Sequence, residues 1–239
     1  MKPRQLAYLD ALGIDAYEPR AAVRSRPASG PAPPTSPQAA AQDGGSAGAS
    51  GLDTLDWAAL RARVAACTAC ELHRTRTQTV FGVGSEQAEW LVIGEAPGAE
   101  EDRQGEPFVG RAGQLLNSML RAIGLERGEV YIANILKCRP PGNRDPKPEE
   151  ALCCTPYLAR QIALLRPKII LAVGRIAAQT LLATAVPLAR LRGQVHRYGA
   201  FATPLVVTYH PAYLLRSPGE KRKAWADLKL ARSVLAGRA

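Results

Sequence analysis

No stretch of this 239-residue chain approaches the roughly 20 consecutive apolar residues of a membrane helix, so a transmembrane reading is excluded. Met1 to Tyr8 also lacks the continuous apolar run of a signal segment, and the five cysteines therefore do not suggest a secreted disulfide scaffold. A reducing, cytoplasmic compartment is expected. The glycine spacing of a dinucleotide fingerprint or a P-loop is missing, which leaves a nucleotide cofactor without support. There is no internal repeat. Acidic residues are the scarcer charge: 21 Asp and Glu stand against 31 Lys and Arg, a net +10. Much of the excess lies late in the chain, at Arg190, Arg192, Arg197, Arg216, Lys221, Arg222 and Lys223. That balance favours a phosphate-bearing partner, although charge alone gives solubility as readily.

What is present is organised around Trp90 to Gly113, WLVIGEAPGAEEDRQGEPFVGRAG. It reads as a buried strand (Trp90 to Ile93), a tight turn (Gly94 to Gly98), an acidic loop, an aromatic PFVG segment and a helix start. Three later stretches share its grammar: Val130 to Asn134, Lys168 to Val173 ending at Gly174, and Leu205 to Tyr209 ending at His210-Pro211. If the four strands are parallel, they deliver the GEAPG turn, Asn134, Gly174 and His210 to one edge of a sheet, where α/β proteins bind ligands. Helical spacing is seen in Leu55, Leu60 and Val64, in Ala112 to Ile123, from about Glu149 to Leu165, in Ile176 to Leu182, and in Lys223 to Leu235, where Trp225, Leu228 and Leu235 face inward. Strand and helix alternate, so the class is α/β.

Residues 1–18 carry Leu6, Leu9 and Leu12 at helical spacing, as in a short amphipathic helix able to dock a protein partner. Residues 19–51 are Pro, Ala, Ser and Gly with few large apolar groups, the composition of a disordered linker. One domain, 52–239, is left.

The cysteines are spaced as a C-x2-C pair, Cys67 and Cys70, with Cys138 and Cys154 far downstream. Four thiolates from separate segments suit either a zinc ion or a [4Fe-4S] cluster, and spacing does not choose between them or exclude ordinary buried thiols. Cys153 is the odd one, because adjacent residues on a helix point about 100° apart. At the sheet edge, Glu95 is a candidate for general acid/base or water-orienting work and Phe108 for an exposed aromatic platform. Asn134 supplies a carboxamide and His210 an imidazole, the parts a pocket needs to sandwich a planar ring and read its edge. His73 and His196 read as surface residues.

The stretches GEAPG, Glu101-Asp102, GEPFVGRAG, YIANILKCRPPGNRDP and TYHPAYLLR together resemble the motifs of the family 4 uracil-DNA glycosylases, in that family's order, from about Cys67 to Leu235. The resemblance implies a three-layer αβα sandwich with a central four-stranded parallel sheet. It implies a monomeric, monofunctional enzyme of base excision repair, nucleoid-associated, that hydrolyses the N-glycosidic bond of deoxyuridine in double- or single-stranded DNA. Phe108 would stack on the flipped-out uracil, Asn134 read its edge and His210 stabilise O2, with backbone at Gly94, Ala96 and Gly98 meeting the base and its sugar-phosphate. Leu214 would fill the gap in the base stack, beside Arg216 on the DNA. Cys67, Cys70, Cys138 and Cys154 would hold a [4Fe-4S] cluster. Ala96 stands where another family of these glycosylases places a water-activating aspartate, which turns attention to Glu95. No histidine occurs in LKCRPPGNRDPKP, where the branch that crosslinks to DNA carries a nucleophilic one, so turnover is expected. The rival readings are a non-catalytic damage-recognition or polymerase-associated module, and a glycosylase for another deaminated base.

Overall fold

A computed structural model describes residues 51–237. The expectations for residues 1–18 and for nearly all of 19–51 lie outside the described residues. Six strands form one sheet: β1 (Val83–Gly84), β2 (Trp90–Gly94), β3 (Val130–Asn134), β4 (Ile169–Val173), β5 (Val195–Tyr198) and β6 (Thr203–Thr208), in the order β1-β3-β2-β4-β6-β5. The central four, β3-β2-β4-β6, run parallel, with Gly94 opposite Asn134 and Val173 opposite Thr208. The edges β1 and β5 run antiparallel to their neighbours, so the sheet has six strands and not the four expected. Both extra strands lack the signal by which the others are read. β1 is two residues long and ends in Gly84 at φ +122°, while β5 is VHRY, charged and only partly buried.

Among the described residues eight α-helices accompany the sheet: α1 (Trp57–Ala65), α2 (Ala99–Gln104), α3 (Arg111–Ala122), α4 (Pro148–Leu165), α5 (Arg175–Leu181), α6 (Leu188–Leu191), α7 (Pro211–Arg216) and α8 (Lys221–Leu235). Alternate strand residues go to opposite faces. Trp90, Val92, Val130, Ile132, Leu171 and Val206 pack against Leu116, Met119 and Leu120 of α3 and Leu228 of α8. Leu91, Ile93, Tyr131, Ile170, Leu205 and Val207 pack against Leu158 and Ile162 of α4 and Ala177 and Ala178 of α5. This period of two, with both faces covered, is why the parallel strands are uninterrupted apolar runs. In α8, Leu228 is fully buried, while Trp225 and Leu235 pack against the same core partly exposed.

The acidic loop expected after GEAPG is instead helix α2. AEEDRQ has no large apolar residue, so hydrophobic periodicity is silent there. Glu100, Glu101 and Asp102 in its first turn suit the positive end of the helix dipole, and Gly105, at φ +78°, closes it. His73 and His196 are partly buried and not the surface residues expected. Nδ1 of His73 lies 2.7 Å from the carbonyl oxygen of Cys70, and Nε2 of His196 2.7 Å from that of Leu191.

Candidate active site

The carboxyl ends of β2, β3 and β6 open into one cleft of about 450 Å³, lined by Glu95, Phe108, Asn134, His210, Tyr213 and Arg216 among others. Ala96, Gly98, Glu101, Arg144 and Asp145 complete much of its wall. Glu95, Phe108, Asn134 and His210 are thus gathered in a single place, whereas Gly174, expected at the same edge, does not line the cleft.

The floor is set by three side chains. Asn134 ends β3 and is 2% exposed, and its Oδ1 has no hydrogen-bond partner. A buried acceptor left unpaired costs about 1–3 kcal/mol, which a ligand N–H would recover. Phe108 is 6% exposed, so it is a buried wall of the cleft and not the exposed platform expected. Its ring lies 5.5 Å from that of His210, with the planes inclined by 29°. Gly94 makes this assembly feasible. A Cβ there would stand 2.7 Å from Cζ of Phe108 and would also press on Oδ1 of Asn134.

Phe108 takes φ +55°, a left-handed conformation that is strained for a bulky residue and persists only when its surroundings hold it. Three of those restraints come from outside PFVG. Arg127 donates to the carbonyl oxygens of Pro107 at 2.6 Å and Phe108 at 3.3 Å. Glu101 accepts from the backbone N–H of Val109 (3.0 Å) and Gly110 (3.3 Å) through one oxygen, and from that of Gly98 (3.1 Å) through the other. Gly113 lets α3 approach so closely that a Cβ would overlap the carbonyl oxygen of Phe108. Glu101 therefore ties the GEAPG turn to the PFVG loop. Neither this role nor that of Arg127 was apparent from sequence, because both act on backbone groups of other segments. The one sequence signal was the position of Glu101 three residues after Gly98, the spacing of a helix-entry box.

His210 precedes α7, and its Nδ1 accepts from the backbone N–H of Ala212 at 3.2 Å. That fixes the neutral tautomer with the proton on Nε2. Burial, with Arg216 nearby, pushes the imidazole down to about 4, so it stays uncharged near neutrality. Glu95 behaves oppositely. Burial first, and then the charge of Asp145, raise its carboxyl to about 7, with Arg175 pulling the other way. Asp145 is itself ion-paired to Arg175 at 2.5 Å. Arg144, next in the RPPGNRDP loop, donates to both oxygens of the buried Glu150, at 2.9 and 2.6 Å, which anchors that loop to α4.

Two residues expected on DNA part company. Arg216 is exposed at the mouth of the cleft. Leu214 is 1% exposed and packed in the core against α3 and α8, so it is not available to enter a base stack. The exposed leucine is its neighbour Leu215, at 37%.

The cysteines form a second centre. All five are free thiols, and all five line one small cavity between the end of α1, the segment after β3 and α4. Cys138 Sγ accepts from Nη1 of Arg76 at 3.1 Å; burial pushes the thiol up, and Arg76 pulls against that. Among the described residues no group of three or more His, Cys, Asp or Glu side chains is placed to hold a single metal ion. A four-iron cluster takes one thiolate at each of four separated corners, so its ligands are spread more widely than those of one ion. The donor set, four thiols from three segments facing a common cavity, fits that group.

A family model for the uracil DNA glycosylase superfamily matches residues 81–229. The chain is 46% identical over 173 residues to a type-4 uracil-DNA glycosylase of Archaeoglobus fulgidus, covering 70% of this chain and 86% of that one. It is 41% identical over 182 residues to one of Pyrobaculum aerophilum (74% and 93% covered), and 41% over 177 residues to one of Thermotoga maritima (72% and 91%). With the matched span containing every residue of the cleft, the chain belongs to the uracil-DNA glycosylase superfamily, in its type-4 branch.

Proposed function

We propose that this chain is a DNA-repair glycosylase that hydrolyses the N-glycosidic bond of deoxyuridine, releasing uracil and leaving an abasic site. The observation that carries the reading is the buried Asn134 carboxamide with its unpaired Oδ1, walled by Phe108 and His210. Uracil offers an N3–H donor to Oδ1 and an O4 acceptor to Nδ2. Cytosine presents the reverse order and is refused. Phe108 covers the face of the extruded base.

As the bond between C1′ and N1 breaks, electrons move onto the base and charge gathers at O2. The Nε2–H of neutral His210 donates there, an electrostatic contribution of about 3–4 kcal/mol for a preorganised donor. Arriving neutral matters, because the imidazole then places a donor at O2 without a buried charge awaiting the substrate. Ionised Glu95 takes a proton from the water that attacks the oxocarbenium-like C1′. The backbone of Gly94 to Gly98 meets the sugar-phosphate, and Arg216 meets phosphate at the mouth. Leu215 replaces Leu214 as the side chain that fills the vacated stack.

Cys67, Cys70, Cys138 and Cys154 would hold the [4Fe-4S] cluster. When bound, it supplies a covalent staple joining the end of α1, the segment after β3 and α4, and no group that touches the base. Single-turnover incubation with uracil-containing oligonucleotides, followed by alkali, tests the reading. Strand breaks at uracil are expected, and intact strands with folded, DNA-bound protein would refute it.

A further inference from the structure

The cysteine cavity holds one thiol more than a four-iron cluster can use. Neighbours on a helix are expected to diverge, yet Cys153 lines the same cavity as Cys154. The five thiols are layered. Cys138 and Cys154 are each 3% exposed, whereas Cys67, Cys70 and Cys153 are half-buried and form the outer rim.

The inner Cys138 is held by Arg76, whose Nη1 donates to its Sγ at 3.1 Å. On the rim, the Sγ of Cys153 sits 3.5 Å from the carbonyl oxygen of Ala69, placed as a donor to it. Ala69 belongs to the Cys67–Cys70 turn and immediately precedes Cys70. The spare thiol therefore rests against the turn that presents the outer corner of the site.

We infer that Cys153 is a reserve ligand for the iron-sulfur site, able to take the corner held by Cys70. This rests on the cluster reading given above. The exchange balances without electrons. The Cys153 sulfur bonds iron and releases its proton, the bond from iron to the Cys70 sulfur breaks, and the Cys70 thiolate takes up a proton. Cys138 and Cys154 are buried, so the exchange is confined to the rim. One consequence is that modification of the outer thiol Cys70 does not cost the chain its cluster.

The test uses the full chain as wild type, Cys153→Ser, Cys70→Ser and the double variant, each loaded anaerobically. Iron and acid-labile sulfide per chain and visible absorbance are measured. Wild type and Cys153→Ser are expected to load alike and Cys70→Ser to keep most of its iron, with the double variant at least about tenfold lower. Titration of native loaded protein with a thiol reagent gives a second readout that does not depend on loading yield. One reactive thiol is expected in wild type, and none in either single variant, since Cys70→Ser recruits Cys153. Iron loss in Cys70→Ser equal to that in the double variant overturns the inference. So does a reactive thiol persisting in loaded Cys70→Ser, or depletion in Cys153→Ser alone. Wild type that binds no iron would overturn the cluster reading itself.

Discussion

Excision by this chain should rise with pH through a single limb centred near neutrality, and the limb should belong to Glu95. Its carboxyl is raised to about 7 by burial and by Asp145, while the other group in contact with the chemistry, His210, titrates down at about 4 and stays neutral. If ionised Glu95 is the base, about a tenth of the enzyme is competent one pH unit below its midpoint and about nine-tenths one unit above, giving roughly tenfold in single-turnover rate across that span. Two neighbours allow the sign to be checked. Asp145→Asn removes a negative charge that raises Glu95, so the limb should move to lower pH. Arg175→Gln removes a positive charge that lowers it, so the limb should move to higher pH. At a solvent-facing rim each shift is expected to be about half a unit to one unit. The two variants break the same Asp145–Arg175 ion pair, so loss of that pair alone would move both profiles in one direction. Stability gives an independent sign. A carboxyl raised by folding binds its proton more tightly in the native state, so stability is present at low pH and declines as pH rises from the ordinary carboxylate range toward about 7. Glu95→Gln should therefore lose the rate limb and gain thermal midpoint relative to wild type at neutral and higher pH. A wild-type rate that is flat between about pH 6 and about pH 8, or parallel shifts in the two neighbour variants, would refute the assignment.

Three further outcomes are expected. Asn134→Asp should lower uracil excision about 10²- to 10³-fold, because an ionised carboxylate cannot donate to O4, and a wild-type rate in the folded variant would show that Asn134 only ends a strand. The two adjacent leucines should separate cleanly. Leu214→Ala should lower stability by about 2–5 kcal/mol in denaturant titration through a core cavity, whereas Leu215→Ala should leave stability unchanged and slow excision more on duplex than on single strands. Equal effects of Leu215→Ala on both substrates would count against its role in the stack. Affinity for undamaged DNA should fall steeply with added salt, given the net +10 and the exposed Arg216, and a flat response in a filter or anisotropy titration would contradict a phosphate-led interface.

The parts of this molecule that were legible from sequence are those in which one residue type serves one requirement. β2, β3 and β4 are buried along their whole length and β6 from Leu205 to Thr208, so their apolar runs and the residues that end them could be read directly. The edge strands β1 and β5 have no such requirement, and α2 turns on acidic residues at its start and not on a buried stripe. Leu214 and Leu215 are indistinguishable as letters. Only the packing of α7 against α3 and α8 decides which one is buried.

Phe108 shows why the remainder of the site could not be read in this way. Its identity is local, but its usefulness depends on a backbone angle of +55° that an isolated PFVG segment would not hold. The restraints come from Arg127 just ahead of β3, Glu101 in α2 and the missing side chain of Gly113 in α3, each acting on a main-chain group. Main-chain partners leave no trace in the sequence of the segment they hold. A substitution at Arg127 or Gly113 should therefore damage the pocket as surely as one at Phe108, although neither residue lines it. The ring that covers the base is in this sense positioned by three residues from other elements, and the strain at Phe108 is the local mark of that arrangement.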